Sequence, residues 1–233
     1  MLSTIAVLRQ ERSKHPLALK MAALGQKSGE KICVIFGVPY MENPERHSEQ
    51  ENIEPFDPVA KNIGTYARAN GDLIRNDLED FLTFYGNNNL AIGWLWPPMV
   101  VLDGTELVRW NNCVRTFLQR LAHEGFHYCI FEADWTARLS FALGWSVFDQ
   151  RILVCDPTSA FPAKLDLLPW YGKFILFLTP LADTRTFRPE DWLPETLRGR
   201  SIEFVVARSE TQEYPISMLW KMLQGSLVTP PPT

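Results

Sequence analysis

The sequence predicts an α/β fold, a mostly parallel sheet with helices on both faces. Two observations carry this expectation. Short apolar runs alternate with helix-like stretches along most of the chain. The runs are apolar at nearly every position, as in Lys173–Leu178, where Phe174 to Leu178 are all apolar, so both faces of each strand need cover, which is the mark of a parallel sheet between helical layers.

The elements follow in order. Ser3–Leu8 reads as a strand, and Pro16–Gln26 as a helix with Leu17, Ala18, Met21, Ala22 and Leu24 as its stripe and Pro16 suited to its first turn. Lys31–Phe36 is a strand stopped by Gly37 and Pro39. Residues 42–58 are polar and without period, the mark of a mobile surface loop. Leu73–Tyr85 reads as a helix, from Leu73, Leu78, Phe81, Leu82 and Tyr85, broken by Asn87–Asn89. Leu90–Trp96 is a strand ended by Pro97 and Pro98. Thr105–Glu124 is the clearest helix, with Leu107, Trp110, Val114, Phe117 and Leu121 on one face and Gly125 where a C-terminal glycine belongs. Strands at Tyr128–Phe131, Arg151–Cys155, Lys173–Leu178 and Ile202–Val206 alternate with helices at Ala137–Phe148, Ser159–Leu168, Trp192–Leu197 and Pro215–Leu223. Residues 1–225 are expected to form one domain, and residues 226–233, rich in proline, a disordered tail.

Composition narrows the function. The chain has 233 residues, 46% of them hydrophobic, and a net charge of −4. That length buries roughly 70% of the unfolded surface without disulfides or metal. An acidic balance argues against a general nucleic-acid binder. No apolar run approaches the roughly 18 residues that span a bilayer, and charge within the first nine residues argues against a signal peptide. Cys33, Cys113, Cys129 and Cys155 show no paired spacing and read as reduced thiols of a cytoplasmic protein. The amphipathic stripe Ile216, Leu219, Trp220 and Leu223 carries only Lys221 as a basic neighbour, so it reads as docked on the domain or a partner rather than on a membrane. The tryptophans, eight in all, read as core and contact residues.

In parallel sheets ligands bind beyond the carboxyl ends of the strands. Here those ends are Leu8–Lys14, Phe36–Tyr40, Pro97–Leu102, Glu132–Trp135, Asp156–Ser159 and Thr179–Leu181. Two short constellations stand out. Arg9, Arg12 and Lys14 form a basic cluster just before a helix, a place where anions are held. His123-Glu124-Gly125-Phe126-His127 has the HExxH spacing of a zinc site, in which His123 and His127 would bind metal and Glu124 act as base. Gly125 sits where the helix should stop, and no third ligand is evident, so the expected metal content is none. No G-x-S-x-G elbow is present.

The order of pieces resembles the MinD/ParA superfamily of deviant P-loop ATPases, and within it the pilus-locating CpaE/TadZ group and the cellulose-secretion ATPase-like proteins. Leu90–Trp135 is similar to the family's strand, loop, long helix and strand; Leu143–Leu168 to its strand and helix joined by a Pro-Thr pair; Glu30–Tyr40 lies where its second strand runs. The family's K-G-G-x-G-K-[ST]-[ST] falls on Arg9-Gln10-Glu11-Arg12-Ser13-Lys14-His15-Pro16. The resemblance puts Lys14 on the phosphate-binding lysine and Arg9 on the signature lysine that reaches across a dimer. It puts His15 on the magnesium-binding hydroxyl and Glu132 on the Walker B aspartate. Phe36 and Val38 replace the aspartates after the second strand, and Thr179 or Pro180 the asparagine that meets adenine.

The phosphate loop works by wrapping backbone amides around oxygens, which needs its glycines. Gln10, Glu11 and Ser13 replace them, and Pro16 removes an amide. The resemblance with these losses implies a pseudo-ATPase with no cofactor, binding ATP and magnesium weakly if at all. It would regulate or position a secretion, pilus or polysaccharide-export machine by protein contacts, as a homodimer or heterodimer in the cytoplasm, without nucleic acid and without membrane insertion. Arg12, Asp134 and Trp135 are the expected partner-binding residues. The alternative is an enzyme, either a weak ATPase using Lys14 and Glu132 or a zinc hydrolase using His123 and His127.

Overall fold

A computed structural model of the chain describes residues 1–9, 16–37, 78–95, 104–134, 148–158, 161, 173–180, 186–198, 200, 202–209 and 211–225. The strands are β1 (Ser3–Arg9), β2 (Ile32–Gly37), β3 (Leu82–Tyr85), β4 (Leu90–Leu95), β5 (Tyr128–Asp134), β6 (Gln150–Cys155), β7 (Lys173–Leu178) and β8 (Ile202–Val206). The helices among the described residues are α1 (Leu17–Lys27), α2 (Gly104–His123), the single turn α3 (Pro189–Trp192) and α4 (Glu213–Leu223).

Successive side chains of a strand point to opposite faces, so strands apolar throughout demand two covering layers. The sheet meets that demand. Its order is β3-β4-β2-β5-β1-β6-β7-β8, and every pairing is parallel except β3 with β4. On one face Ile5, Val7, Ile130, Ile152 and Ile175 pack against Met21 and Ala22 of α1 and Leu219, Trp220 and Leu223 of α4. On the other Leu8, Ile35, Phe131, Leu153 and Leu176 pack against Val114, Phe117 and Leu121 of α2 and against Leu193 and Leu197. The stripe on α4 thus docks on its own sheet.

The sequence reading and the structure differ at Leu73–Tyr85. Within its described part, Leu78–Asp80 is a single 3-10 turn and Leu82–Tyr85 is the edge strand β3, antiparallel to β4. Apolar residues at 78, 81, 82 and 85 fit a helical stripe, yet Gly86, Asn87 and Asn88 all take positive φ and turn the chain into a hairpin. The expected Trp192–Leu197 helix is instead α3 followed by a 3-10 turn at Glu195–Leu197. The polar loop 42–58, most of the helices expected at Ala137–Phe148 and Ser159–Leu168, and the tail lie outside the described residues.

β1 sits where the direction of travel across the sheet reverses, with β5 and β2 on one side and β6 and β7 on the other. In open α/β sheets that reversal opens a crevice beyond the strand's carboxyl end. Arg9 is the last residue of β1.

Candidate functional site

Side-chain parity brings the site together. Ile5 and Val7 face the α1 layer, so Arg9, two residues on, faces it as well. Ile130 of β5 faces the same layer, and so does Glu132. The β1–β5 register pairs Val7 with Glu132 and Arg9 with Asp134, which makes Arg9 and Glu132 diagonal neighbours on one face. Arg9 Nε lies 2.7 Å from Glu132 Oε1. Arg9 is 1% exposed and Glu132 0%.

The same carboxylate meets the start of α1. The Ala18 amide donates to Glu132 Oε2 at 2.7 Å and the Leu17 amide to Oε1 at 3.3 Å. α1 needs this partner. Its N-cap residue is Pro16, which makes no side-chain cap bond, and its first turn holds no acidic residue. The first amides of a helix have no partner within the helix, and they carry the positive end of its dipole. Glu132 supplies both the acceptor and the charge from 114 residues downstream of Ala18. A cap of this kind stabilises a helix by about 1 kcal/mol, and a carboxylate on the dipole adds up to about 2 in a buried setting.

The chemistry available follows from that geometry. Each carboxylate oxygen already accepts an amide hydrogen, and one also faces the Arg9 guanidinium. A magnesium ion approaching Glu132 would compete with those partners in a fully buried place. Arg9, which the resemblance assigns to contact across a dimer, has its side chain inside the domain against Glu132. Arg12, Lys14, His15 and Trp135 lie outside the described residues. Asp134 closes β5 opposite Arg9. Phe36, at a family aspartate position, is buried and packs against Trp94 with ring centroids 5.2 Å apart. Thr179 is also buried, and its amide donates to the Cys155 carbonyl at 2.9 Å.

The HExxH residues do not share a helix. α2 ends at His123, Gly125 has φ 78°, and His127 precedes β5. His127 instead ties two strand starts together. Its Nδ1 receives the Lys31 amide at 3.2 Å and lies against Glu30 Oε2, and its own amide donates to the Lys31 carbonyl at 2.8 Å. Lys31 Nζ donates to the Glu124 carbonyl at 2.9 Å and sits 4.5 Å from the Phe126 ring. Among the described residues no three His, Cys, Asp or Glu side chains are grouped to hold a metal, and no helix is long and apolar enough to cross a membrane.

The amides of Leu17 and Ala18 are the functional groups that sequence reasoning missed. Their signal was present: a helix start at Pro16 with neither a capping side chain nor an acidic first turn.

No protein-family model matches the sequence, and no curated protein sequence matches it. Solved structures share the fold. A plasmid partition protein from Borrelia burgdorferi superposes with a TM-score of 0.65 at 14% identity, over 97% of this chain and all of that one (100%). A putative plasmid partition protein from Borrelia burgdorferi B31, bound to AMPPNP, gives 0.63 at 13% identity, over 96% of this chain and 97% of that one. MinD of Aquifex aeolicus, in the MinC:MinD cell division complex, gives 0.60 at 13% identity, over 97% of this chain and 98% of that one. The expected MinD/ParA-type α/β fold is the fold the chain adopts.

Proposed function

We propose that this chain, built on the MinD/ParA fold, is a pseudo-ATPase that works through protein contacts rather than through nucleotide turnover. One observation carries the reading. The start of α1, which in phosphate-binding folds faces the ligand, is already bonded to the protein's own Glu132 carboxylate, itself paired with Arg9. The neighbouring sequence agrees, because Gln10, Glu11 and Ser13 stand where glycines would wrap phosphate.

The work we assign is regulating or positioning a secretion, pilus or polysaccharide-export machine in the cytoplasm, as a homodimer or heterodimer. The sequence resemblance to pilus-locating and cellulose-secretion proteins supports it, and so does the solved pairing of MinD, a protein of this fold, with MinC. The contact surface we assign is the carboxyl edge of the sheet, with Arg12, Asp134 and Trp135 as its anchors, since arginine and tryptophan dominate contact energies. A working ATPase built on Lys14 and Glu132 would require Glu132 to leave two amides and an arginine.

Calorimetric titration with ATP and magnesium tests the reading. The expected result is no binding tighter than about 1 mM, roughly 4 kcal/mol. A low-micromolar constant that disappears in Lys14→Ala overturns it.

A further inference from the structure

We propose that Cys33 and Cys129 form a dithiol site for a small neutral thiophile, an arsenic(III) centre that carries one methyl group. The site lies on the sheet face opposite Arg9 and Glu132, and it is independent of the function proposed above.

Register and parity bring the two thiols together. β2 and β5 are parallel neighbours, and their register sets Cys33 directly opposite Cys129. Neighbouring strands run about 5 Å apart. Both side chains face the α2 layer, at 0% and 2% exposure. Both are free thiols, and they are hydrogen-bonded to each other. One atom can therefore bond both sulfurs with little movement of either strand. Cys155 lies on β6, with β1 between it and β5, and Cys113 lies on α2.

An apolar cavity adjoins the pair. It measures about 20 Å³, and its walls include Cys129, Ile35, Phe117, Phe131 and Phe148. That is room for one group the size of a water molecule or a methyl, and apolar walls favour the methyl. The surroundings also select against charge. A metal ion would have to shed its water to enter, and a charged product would be buried without a partner. Burial, and then the hydrogen bond to Cys129, hold the Cys33 thiol well above its ordinary range, so Cys33 keeps its proton. The ligand that fits enters neutral, takes up the thiol protons itself and leaves a neutral product. Methylarsonous acid meets all three demands. Its two As–OH bonds break and two As–S bonds form, the two thiol protons leaving on the hydroxyls as water. The oxidation state of arsenic does not change, and the methyl group turns into the cavity.

The experiment is native mass spectrometry of the folded chain with methylarsonous acid, followed by excess glutathione to strip adducts held by a single sulfur. The unaltered chain is expected to keep one methylarsenic group, with both hydroxyls lost. Cys33→Ala and Cys129→Ala are each expected to bind at least about a hundredfold more weakly, since one bond replaces two from the same atom. Cys113→Ala and Cys155→Ala should bind like the unaltered chain. Absence of the adduct from the unaltered chain overturns the proposal, and so does full retention in Cys33→Ala or Cys129→Ala. Should either of these variants lose its native circular dichroism, peptide mapping of the unaltered adduct decides in its place. A methylarsenic bridge between the Cys33 and Cys129 peptides supports the proposal, and a bridge that uses Cys113 or Cys155 overturns it.

Discussion

Replacing Arg9 by Met separates the strength of the Arg9–Glu132 pair from the packing of its residues. Met is close to Arg in length and fills the same apolar layer, so little volume is lost. What changes is charge. Glu132, 0% exposed, would keep its two amides and lose the guanidinium 2.7 Å away. Breaking a buried pair by removing one partner costs about 3–5 kcal/mol. The remaining amides and the α1 dipole still hold the carboxylate, so the lower end applies, about 3 kcal/mol. Against a total stability of about 5–15 kcal/mol this is a large fraction. With a urea slope of about 2–3 kcal/mol/M the midpoint should fall by about 1 M. Glu132→Gln alone should cost a similar amount, because it takes the carboxylate charge away from the Arg9 guanidinium 2.7 Å off in a buried place. The double variant Arg9→Met/Glu132→Gln removes both charges of the pair and keeps an acceptor for Ala18, so its loss should be smaller than the sum by more than about 1 kcal/mol. Urea unfolding of the four proteins by circular dichroism is the assay. An Arg9→Met midpoint within about 0.2 M of the unaltered chain, or a double variant equal to the sum of the singles, would refute the reasoning.

Four further outcomes are expected. In Gly25→Ala the added Cβ would lie 2.2 Å from Ile32 Cδ1 and 2.8 Å from Trp220 Cζ2; the crowding, about 1–3 kcal/mol, should outweigh the helix gain of about 1, and a urea midpoint above that of the unaltered chain would contradict the α1–α4 packing. Burial pushes the Cys113 thiol up to about 11 and also raises the thiols of Cys33 and Cys155. Ellman's reagent at pH 8 should leave the buried Cys33, Cys129 and Cys155 unreacted in the folded protein, and Cys113 should react faster by about tenfold per pH unit up to its raised value. Because folding raises these values, their share of stability is intact below the ordinary thiol value of 9.0 and is lost as pH climbs from there toward 11, so alkaline unfolding should begin above pH 9. Trp135→Ala and Arg12→Glu should each weaken association by about 2 kcal/mol in sedimentation equilibrium, and unchanged association of both would remove the sheet's carboxyl edge as the contact.

Much of the architecture is readable from local pattern, because the strands are apolar at both parities and Gly125 marks the end of α2. β3 reads as helix in the sequence because short apolar runs fit either period, and Asn87–Asn89 marks a break there without showing that the chain turns back as a hairpin. The site was legible in part. Resemblance picked out Arg9 and Glu132, but their pairing depends on the β1–β5 register and on where α1 begins, which no local pattern encodes. HExxH shows the reverse case, a clear spacing whose meaning is cancelled by Gly125 at φ 78°.

The central place of β1 has a consequence for synthesis. Ser3 pairs with Tyr128, and Ile5 with Gln150, so neither neighbour of β1 exists when β1 is made. At about 5–20 residues per second, β1 waits on the order of ten seconds for β5. During that interval its row of Ile5, Val7 and Leu8 is an unpaired apolar edge, open to whatever meets it on the ribosome. Slowing translation between residues 37 and 128 would lengthen that interval, and codon choice over this stretch should therefore change soluble yield without changing a single amino acid.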